Sequence, residues 1–315
     1  MAKGISIHIG INQANPSFEV ATLQGCHGDA QAMFQIATDN GFEATPPFLD
    51  GMATRQNVEA AISEAAERLV AGDIFLFTFA GHGSINPTFS SPEELDSQDE
   101  TILLHDCILI DNYLRLNLWS QFKAGVRILG IADSCHSGTA LASAPGDIDP
   151  ASPSGPITLI GGAGNVATAV SVAPAIHCRE EPDPMDPPLV TQRIPQIGKY
   201  DRAFSLADKA RILEVSPQIH NDMRASLKPA EPLRAKLLTL GACRDFELAR
   251  DGETNGVFTK ALIDVWDNGA FVGNYDDFIR TIAQRVLLTS PNQHSIRRPL
   301  VVDEDFISQR PFTIG

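Results

Sequence analysis

The sequence has few cysteines, an excess of negative charge and no long hydrophobic run. Its five cysteines are an odd number and form no C-x-x-C pair, which disfavours a disulfide framework or a zinc site and suits a reducing compartment. The net charge of −15 argues against nucleic acid, because phosphate binding requires clustered lysine and arginine. No apolar stretch reaches the roughly 18 residues of a membrane span, and no signal peptide is recognisable. We therefore expect a cytoplasmic protein with no nucleic-acid or membrane partner.

Apolar strands alternate with amphipathic helices along the chain, which indicates a mainly parallel sheet covered by helices on both faces. Hydrophobic residues make up 43% of the 315 residues, an ordinary share for a globular protein. The predicted strands are 5–11, around 45–49, 73–80, 126–132, 236–241 and around 298–302. The predicted helices are 27–40, 54–70, 111–122, 255–267 and 275–288.

Two of these strands end in residues that carry chemistry. Strand 73–80 runs into Gly81-His82-Gly83, and strand 126–132 runs into Asp133-Ser134-Cys135. Open α/β sheets place their chemistry at the carboxyl ends of parallel strands. The histidine and the cysteine should therefore meet at one edge of the sheet.

A cysteine and a histidine at one site form a nucleophile and its base. A thiol is mostly protonated at neutral pH, so Cys135 needs a base such as His82 before it can attack a carbonyl. The same histidine can then protonate the leaving amine. The amides of Gly83 and Cys135 can form an oxyanion hole. The alternative for each residue alone is structural, a small buried thiol and a turn histidine.

The segments Phe79-Ala-Gly-His82-Gly83 and Asp133-Ser-Cys135-His-Ser-Gly138 resemble the two active-site motifs of caspase-like cysteine peptidases, in the form found in metacaspases and orthocaspases. The resemblance implies a three-layer α/β sandwich around a mainly parallel six-stranded sheet. It also implies a large-subunit-like catalytic region at 1–141, an insertion or activation linker at 142–235, and a small-subunit-like region at 236–315 that completes the sheet. The implied activity is that of a cysteine endopeptidase acting on proteins or peptides.

Asp29 and Asp133 match the aspartates that line the specificity pocket of metacaspases, so the resemblance implies cleavage after arginine or lysine. Side chains two apart in a strand point the same way, which lets Asp133 face the cleft beside Cys135. Carboxylates in a closed pocket favour a guanidinium or an ammonium. Metacaspases often have serine two residues before the histidine, whereas this chain has Ala80. The alternative for Asp29 is a solvated helix-start residue.

The linker is rich in proline: nine of the 21 prolines fall between Pro145 and Pro188, which works against regular structure there. We expect it to be exposed, poorly ordered and cut after a basic residue, either by the protein itself or by an upstream activating protease. The candidate positions are Arg179, Arg193, Lys199, Arg202, Lys209 and Arg211. The alternative is a decorated surface loop with helical patches at 201–214 and 218–226.

An acidic cluster between residues 93 and 111 offers a weak calcium site. Asp96, Asp99 and Asp111 fall where many metacaspases bind calcium, and calcium prefers six to eight oxygen ligands. The spacing does not match an EF-hand, and we favour a solvated acidic loop. We therefore expect no required cofactor.

Two functions of other classes compete with the peptidase. One is a catalytically silent caspase-like scaffold that acts by protein association, and the other is an acyltransferase that uses the same dyad. Both intact motifs argue against the scaffold.

Overall fold

One large, mostly parallel sheet organises the protein. The structure is a computed structural model that describes residues 2–86, 99–135, 141, 198, 200–229, 231–244, 247–299 and 302–315. The strands of this sheet are β1 (Gly4–Gly10), β2 (Glu43–Ala44), β3 (Phe48–Leu49), β4 (Ile74–Ala80), β8 (Arg127–Asp133), β9 (Lys236–Gly241) and β10 (Ile296–Pro299). Their order is β10-β9-β8-β4-β1-β2, with β3 also paired to β1 and β10 antiparallel to β9.

The strands were placed correctly from sequence, with one difference at the edge. The strand predicted around 45–49 is two short strands, β2 and β3, because Pro46 and Pro47 lie between them. Proline has no backbone N–H to donate to a neighbouring strand. The sheet therefore has seven strands where six were predicted.

Helices cover both faces, so the predicted three-layer α/β sandwich is confirmed. The helices of the described residues are α1 (Cys26–Asp39), α2 (Arg55–Arg68), α3 (Asp111–Tyr113, continued by π and 3₁₀ turns to Gln121), α4 (Leu206–Val215), α5 (Pro217–Ala225), α6 (Val257–Trp266), α7 (Tyr275–Thr289) and α8 (Glu304–Ile307). Phe75 and Phe77 of β4 point into the core shared with α2, whereas Ile74 and Leu76 point to the face of α1, α6 and α7. Successive side chains of β4 therefore point to opposite faces of the sheet and pack into the hydrophobic core on each face.

The carboxyl ends of the three central strands lie side by side. Ala80 of β4 pairs with Asp133 of β8, and Ala132 of β8 pairs with Gly241 of β9. The chain segments that follow β4 and β8 therefore emerge at the same edge. This register is what brings the histidine and cysteine motifs together.

A small antiparallel sheet stands at that edge, and the sequence did not predict it. It consists of β5 (Gly83–Asn86), β6 (Asp99–Leu103) and β7 (Ile108–Ile110). The prediction of a solvated acidic loop is wrong for residues 99–111, because Glu100 and Asp111 are buried. The apolar–polar alternation typical of a strand is not visible there, because the buried carboxylates of Glu100 and Asp111 stand where apolar side chains would be expected.

The described part of the predicted linker is folded rather than exposed. The helical patches expected at 201–214 and 218–226 are present as α4 and α5, although α4 begins only at Leu206. Residues 201–204 are buried, so the prediction of an exposed, poorly ordered segment is wrong there. These residues belong to the same compact unit as the sheet. A second unit, 145–193, lies outside the described residues. Within the described ranges, no helix has the length and apolarity needed to cross a membrane.

Candidate active site

His82 lies between β4 and β5 and is held as a neutral imidazole. Its Nε2 lies 2.6 Å from the carbonyl oxygen of Ala21, so Nε2 carries the proton and donates it to that carbonyl. Burial lowers the pKa of His82. Its Nδ1 is buried and has no hydrogen-bond partner among the described residues. A buried ring nitrogen with a free lone pair is suited to accept a proton.

Cys135 follows β8 and presents a buried thiol. The amide of Ala249 donates to its Sγ at 3.0 Å, and the Sγ lies 3.5 Å from the carbonyl oxygen of the same residue. Burial raises the pKa of Cys135 well above its ordinary value, so at neutral pH the group is a thiol that needs a base. In this conformation the thiol is bonded to Ala249 and not to Nδ1 of His82.

Two backbone amides converge on one carbonyl oxygen beside these side chains. The amides of Gly83 and Cys135 donate to the carbonyl oxygen of Arg202 at 2.9 and 3.1 Å. Position 83 must be glycine, since a Cβ there would lie 2.2 Å from the carbonyl oxygen of Cys135. The pair of amides that the sequence indicated as an oxyanion hole thus surrounds a peptide carbonyl of the chain itself.

The side chain of Arg202 fills a pocket of three carboxylates and is fully buried. Its guanidinium nitrogens lie 2.6 Å from Asp29, 3.0 Å from Asp133 and 2.9 Å from Asp251. Burial opposes the charge on Arg202, but the carboxylates outweigh it and raise the pKa of the guanidinium. The arrangement selects a planar cation that can contact several carboxylates at once.

Neighbouring groups hold each carboxylate in place. Asp29 accepts from the Asn255 side chain and the Gly256 amide, both at 3.0 Å. Asp133 accepts from the Thr259 amide and hydroxyl at 2.9 and 2.7 Å. The Thr259 hydroxyl thus brings a hydroxyl group to this pocket, where the sequence had suggested that Ala80 leaves one missing.

Asp251 completes the set and binds the start of α1. Its two carboxylate oxygens accept from the amides of Gln24 and Gly25 at 2.7 and 3.1 Å. These contacts orient the carboxylate towards the guanidinium.

The backbone around Arg202 pairs with neighbouring segments on both sides. The amide of Arg202 donates to the carbonyl of Ala249 at 2.9 Å, and the amide of Asp251 donates to the carbonyl of Tyr200 at 2.8 Å. Ala203 forms a parallel bridge with Gly83 on the other side. Extended peptides bind to proteins in this way, with main-chain bonds for affinity and side-chain pockets for specificity.

The structure brings six of the predicted residues together: Asp29, His82, Gly83, Asp133, Cys135 and Arg202. Lys209 and Arg211 lie within α4, whose helical backbone would have to unwind to enter an extended cleft. Arg179, Arg193 and Lys199 lie outside the described residues.

Two contributors were missed from sequence. Asp251 stands in a loop before α6 and carries no local signal, because loop aspartates are common. Ala21 contributes only its backbone carbonyl, which no sequence pattern reveals.

The predicted calcium ligands are only partly visible. Asp96 lies outside the described residues, and the side chain of Asp99 is likewise not described. Asp111 is buried at the start of α3, where its carboxylate accepts from the Asn112 amide at 2.6 Å. Across the described ranges, no three histidine, cysteine or acidic side chains are grouped to hold a metal ion.

The fold and the two motifs place the chain in a known class. The model of the caspase domain matches residues 3–303, so the chain belongs to the caspase-domain family, and metacaspases are among the proteins that it resembles. It is 30% identical to metacaspase-1 of Arabidopsis thaliana over 134 residues, which cover 38% of this chain and 36% of the relative. It is 31% identical to metacaspase-9 of the same plant over 166 residues, or 50% of each chain. The matches span about a third to a half of these relatives' own length.

Solved structures agree with this assignment. Protein GSU0716 from Geobacter sulfurreducens is 30% identical and superposes with a TM-score of 0.72 over 99% of both chains. Caspase-1 from Spodoptera frugiperda superposes with a TM-score of 0.51 over 96% of this chain and 88% of that chain, at 13% identity. The second likeness concerns the fold alone.

Proposed function

We propose that this protein is a cysteine endopeptidase that cleaves peptide bonds after arginine or lysine, and that its first substrate is its own Arg202–Ala203 bond. One observation supports this above all others. The Arg202 carbonyl oxygen rests on the amides of Gly83 and Cys135 while its guanidinium contacts three carboxylates. A substrate residue immediately before a cut bond needs the same two contacts: amides that bind its carbonyl oxygen and a pocket that binds its side chain.

The reaction begins with a proton transfer. Rotation about the Cα–Cβ bond of Cys135 releases the thiol from Ala249, and Nδ1 of His82 takes its proton. The thiolate attacks the Arg202 carbonyl carbon, and the two amides stabilise the oxyanion that forms. His82 then protonates the Ala203 nitrogen as the C–N bond breaks, which leaves a thioester on Cys135. Water hydrolyses the thioester with His82 as the base.

The same contacts make the uncut chain self-blocked. Arg202 occupies the acidic pocket, and the thiol is bonded to Ala249. An external substrate must displace this segment, so cleavage at Arg202 is the step that opens the pocket to other proteins with a basic residue before the cut. An upstream protease that cuts elsewhere in the linker is the other route to the same state.

The test compares wild type, Cys135→Ala, Arg202→Ala and Arg211→Ala, with fragment ends mapped by mass spectrometry. Wild type and Arg211→Ala are expected to end one fragment at Arg202 and begin the other at Ala203. Cys135→Ala and Arg202→Ala are expected to stay intact. Because the segment is already seated in its own cleft, the rate should be first-order and independent of protein concentration. Nucleophile, base and oxyanion donors all belong to the chain, so a chelator should leave this rate unchanged.

Fragments that start elsewhere, or cleavage of Cys135→Ala, would contradict the proposal. A peptide library incubated with the processed enzyme then tests its specificity for other substrates, and a preference for aspartate before the cut would overturn the pocket assignment.

A further inference from the structure

The two sides of the Arg202–Ala203 bond are held very differently. Downstream of the bond, Ala203 and Phe204 are 5% and 2% exposed, and Phe204 belongs to the core beneath α2. The Ser84 hydroxyl donates to the Phe204 carbonyl at 3.2 Å. The next residue, Ser205, forms a capping box with Asp208 that starts α4. Cleavage would therefore place the new N-terminus, Ala203, directly before Phe204, whose side chain is fixed in the core as an anchor.

The helices that follow extend this anchor. Arg211 donates to the carbonyl of Phe18 at 3.2 Å. The amide of Ile108 donates to Nε2 of His220 at 3.0 Å. Asn117 donates to the carbonyl of Ser226 at 2.7 Å. None of these contacts involves Arg202 or the described residues just before it, Gly198, Tyr200 and Asp201, so all of them persist after the bond is cut.

Upstream of the bond, the described residues are held through Arg202 and through backbone pairing with the segment 249–251. Tyr200 is 55% exposed. The Asp201 carboxylate accepts from the Gly198 amide at 2.7 Å, and Asp201 also forms an antiparallel bridge with Arg250. The acyl side therefore relies on the acidic pocket, the amides of Gly83 and Cys135 and this backbone pairing, whereas the amine side leads directly into the core and α4.

We propose that the Ala203 α-amine stays docked beside Cys135 after self-cleavage and attacks thioesters formed there, so that the enzyme is also a peptide ligase whose acceptor is its own Ala203 terminus. The inference rests on the peptidase function proposed above. Its acyl donors are peptides that end in arginine and carry a small leaving group, because Ala203 and Phe204 fill the downstream side of the cleft while they are docked. A longer protein substrate has to displace them before it is cut.

The step balances without a further reactant. The neutral Ala203 amine attacks the thioester carbonyl of the bound acyl group and forms a C–N bond as the C–S bond breaks. His82 takes the proton that the nitrogen loses and returns it to the Cys135 thiolate. A nucleophile held in place reaches effective concentrations of about 10⁵ M or more, which lets it compete with water.

The experiment uses processed wild type and the donor acetyl-Tyr-Asp-Arg methyl ester at pH 8, where about half or more of an α-amine of pKa about 7.7–8.0 is neutral. Intact-mass spectrometry of the Ala203 fragment is expected to show the added acyl mass, and tandem spectrometry should place it on the Ala203 nitrogen. Hydrolysis of the same ester is followed in parallel. In Phe204→Ala, which loses the anchor, the ratio of ligation to hydrolysis should fall at least about tenfold.

Each outcome decides the matter. An Ala203 conjugate in wild type supports the inference, whether or not Phe204→Ala folds. Hydrolysis of the ester with no conjugate overturns the inference and leaves the peptidase intact. An ester that is neither hydrolysed nor ligated overturns both. A ligation ratio that is unchanged in a folded Phe204→Ala variant removes the anchoring argument and overturns the inference as stated.

Discussion

At the scale of single residues, the charge in the acidic pocket is the dominant feature. One guanidinium faces three carboxylates, and all four side chains are buried. Fully ionised carboxylates would leave net negative charge in a place that water does not reach, which is costly. Burial raises the pKa of Asp29 to about 7, against the opposing effect of Arg202. The pocket thus carries a proton that responds to pH near neutrality.

That proton gives the first prediction. Protonated Asp29 attracts a guanidinium less than the carboxylate does, so the rate of self-cleavage should fall as the pH drops through about 7. His82 titrates at lower pH, because burial lowers its pKa. Between pH 9 and pH 5, the rate of self-cleavage in wild type should therefore fall in two steps, an upper limb from Asp29 and a lower limb from His82. Asp29→Asn should lose the upper limb, and a profile that keeps both limbs would refute the assignment.

A second prediction at this scale concerns Asp251. It contacts both Nε and Nη2 of Arg202, at 3.2 and 2.9 Å, and a lysine ammonium has no equivalent of this pair of donors. Hydrogen bonds to charged groups contribute about 1.5–3 kcal/mol, or roughly 10- to 100-fold. Asp251→Asn should lower kcat/KM by that factor for substrates with arginine and by less for lysine.

The matched control for Asp251→Asn is Asp276→Asn, whose carboxylate pairs with Arg297 away from the site. Steady-state kinetics on paired arginine and lysine peptides make the comparison. Equal losses for the two peptides would show that Asp251 acts on folding and not on recognition.

At the scale of elements, the exit of β8 and the entry to β5 determine the oxyanion site. A Cβ at Gly83 would lie 2.2 Å from the Cys135 carbonyl oxygen and 3.1 Å from the Ser134 hydroxyl. The Cys135 carbonyl oxygen cannot move away without a shift of the backbone that presents the two amides. The elements are therefore packed too closely for any side chain at this position.

Gly83→Ala should consequently lower the rate of self-cleavage by about 10²–10³-fold, the loss typical of one oxyanion donor. The control is Gly51→Ala, where the nearest atom to a new Cβ is 3.9 Å away, and its rate should match wild type. Circular dichroism separates lost activity from lost folding. A folded Gly83→Ala with a wild-type rate would exclude the amide from the reaction.

At the scale of the whole molecule, the Arg202–Ala203 bond joins two parts that share one sheet. Strands β9 and β10 lie downstream of Arg202, and β9 pairs with β8 over six residues. Leu238 and Leu240 of β9 are fully buried in the core with β8 and α6. Cutting the bond removes none of this burial.

The processed protein should therefore remain a single particle. Size-exclusion chromatography with light scattering should give the same mass for processed wild type and intact Cys135→Ala, while denaturing electrophoresis separates two fragments from the wild type. Fragments that separate without denaturant would show that the linker, and not the sheet, joins the parts.

The sequence by itself determined the layered fold and the two motifs that carry His82 and Cys135. The apolar runs that form β4 and β8 are local patterns, and so are the Gly-His-Gly and Asp-Ser-Cys segments that follow them. The carboxyl-end rule for parallel sheets then indicates that His82 and Cys135 belong to one site. Local patterns missed the second sheet, because Glu100 and Asp111 face inward and the hydrophobic alternation is lost.

Only the tertiary structure decided which basic residue occupies the cleft. Six linker positions were equal candidates in sequence, and Arg202 is distinguished by what surrounds it: Asp29 from α1, Asp133 from β8 and Asp251 from the loop before α6. These carboxylates are far apart along the chain, and their attraction for a guanidinium depends on distance and burial, which no local pattern encodes. Asp251 and the Ala21 carbonyl could not be predicted from sequence for the same reason, because they come close to Arg202 and His82 only in the folded chain.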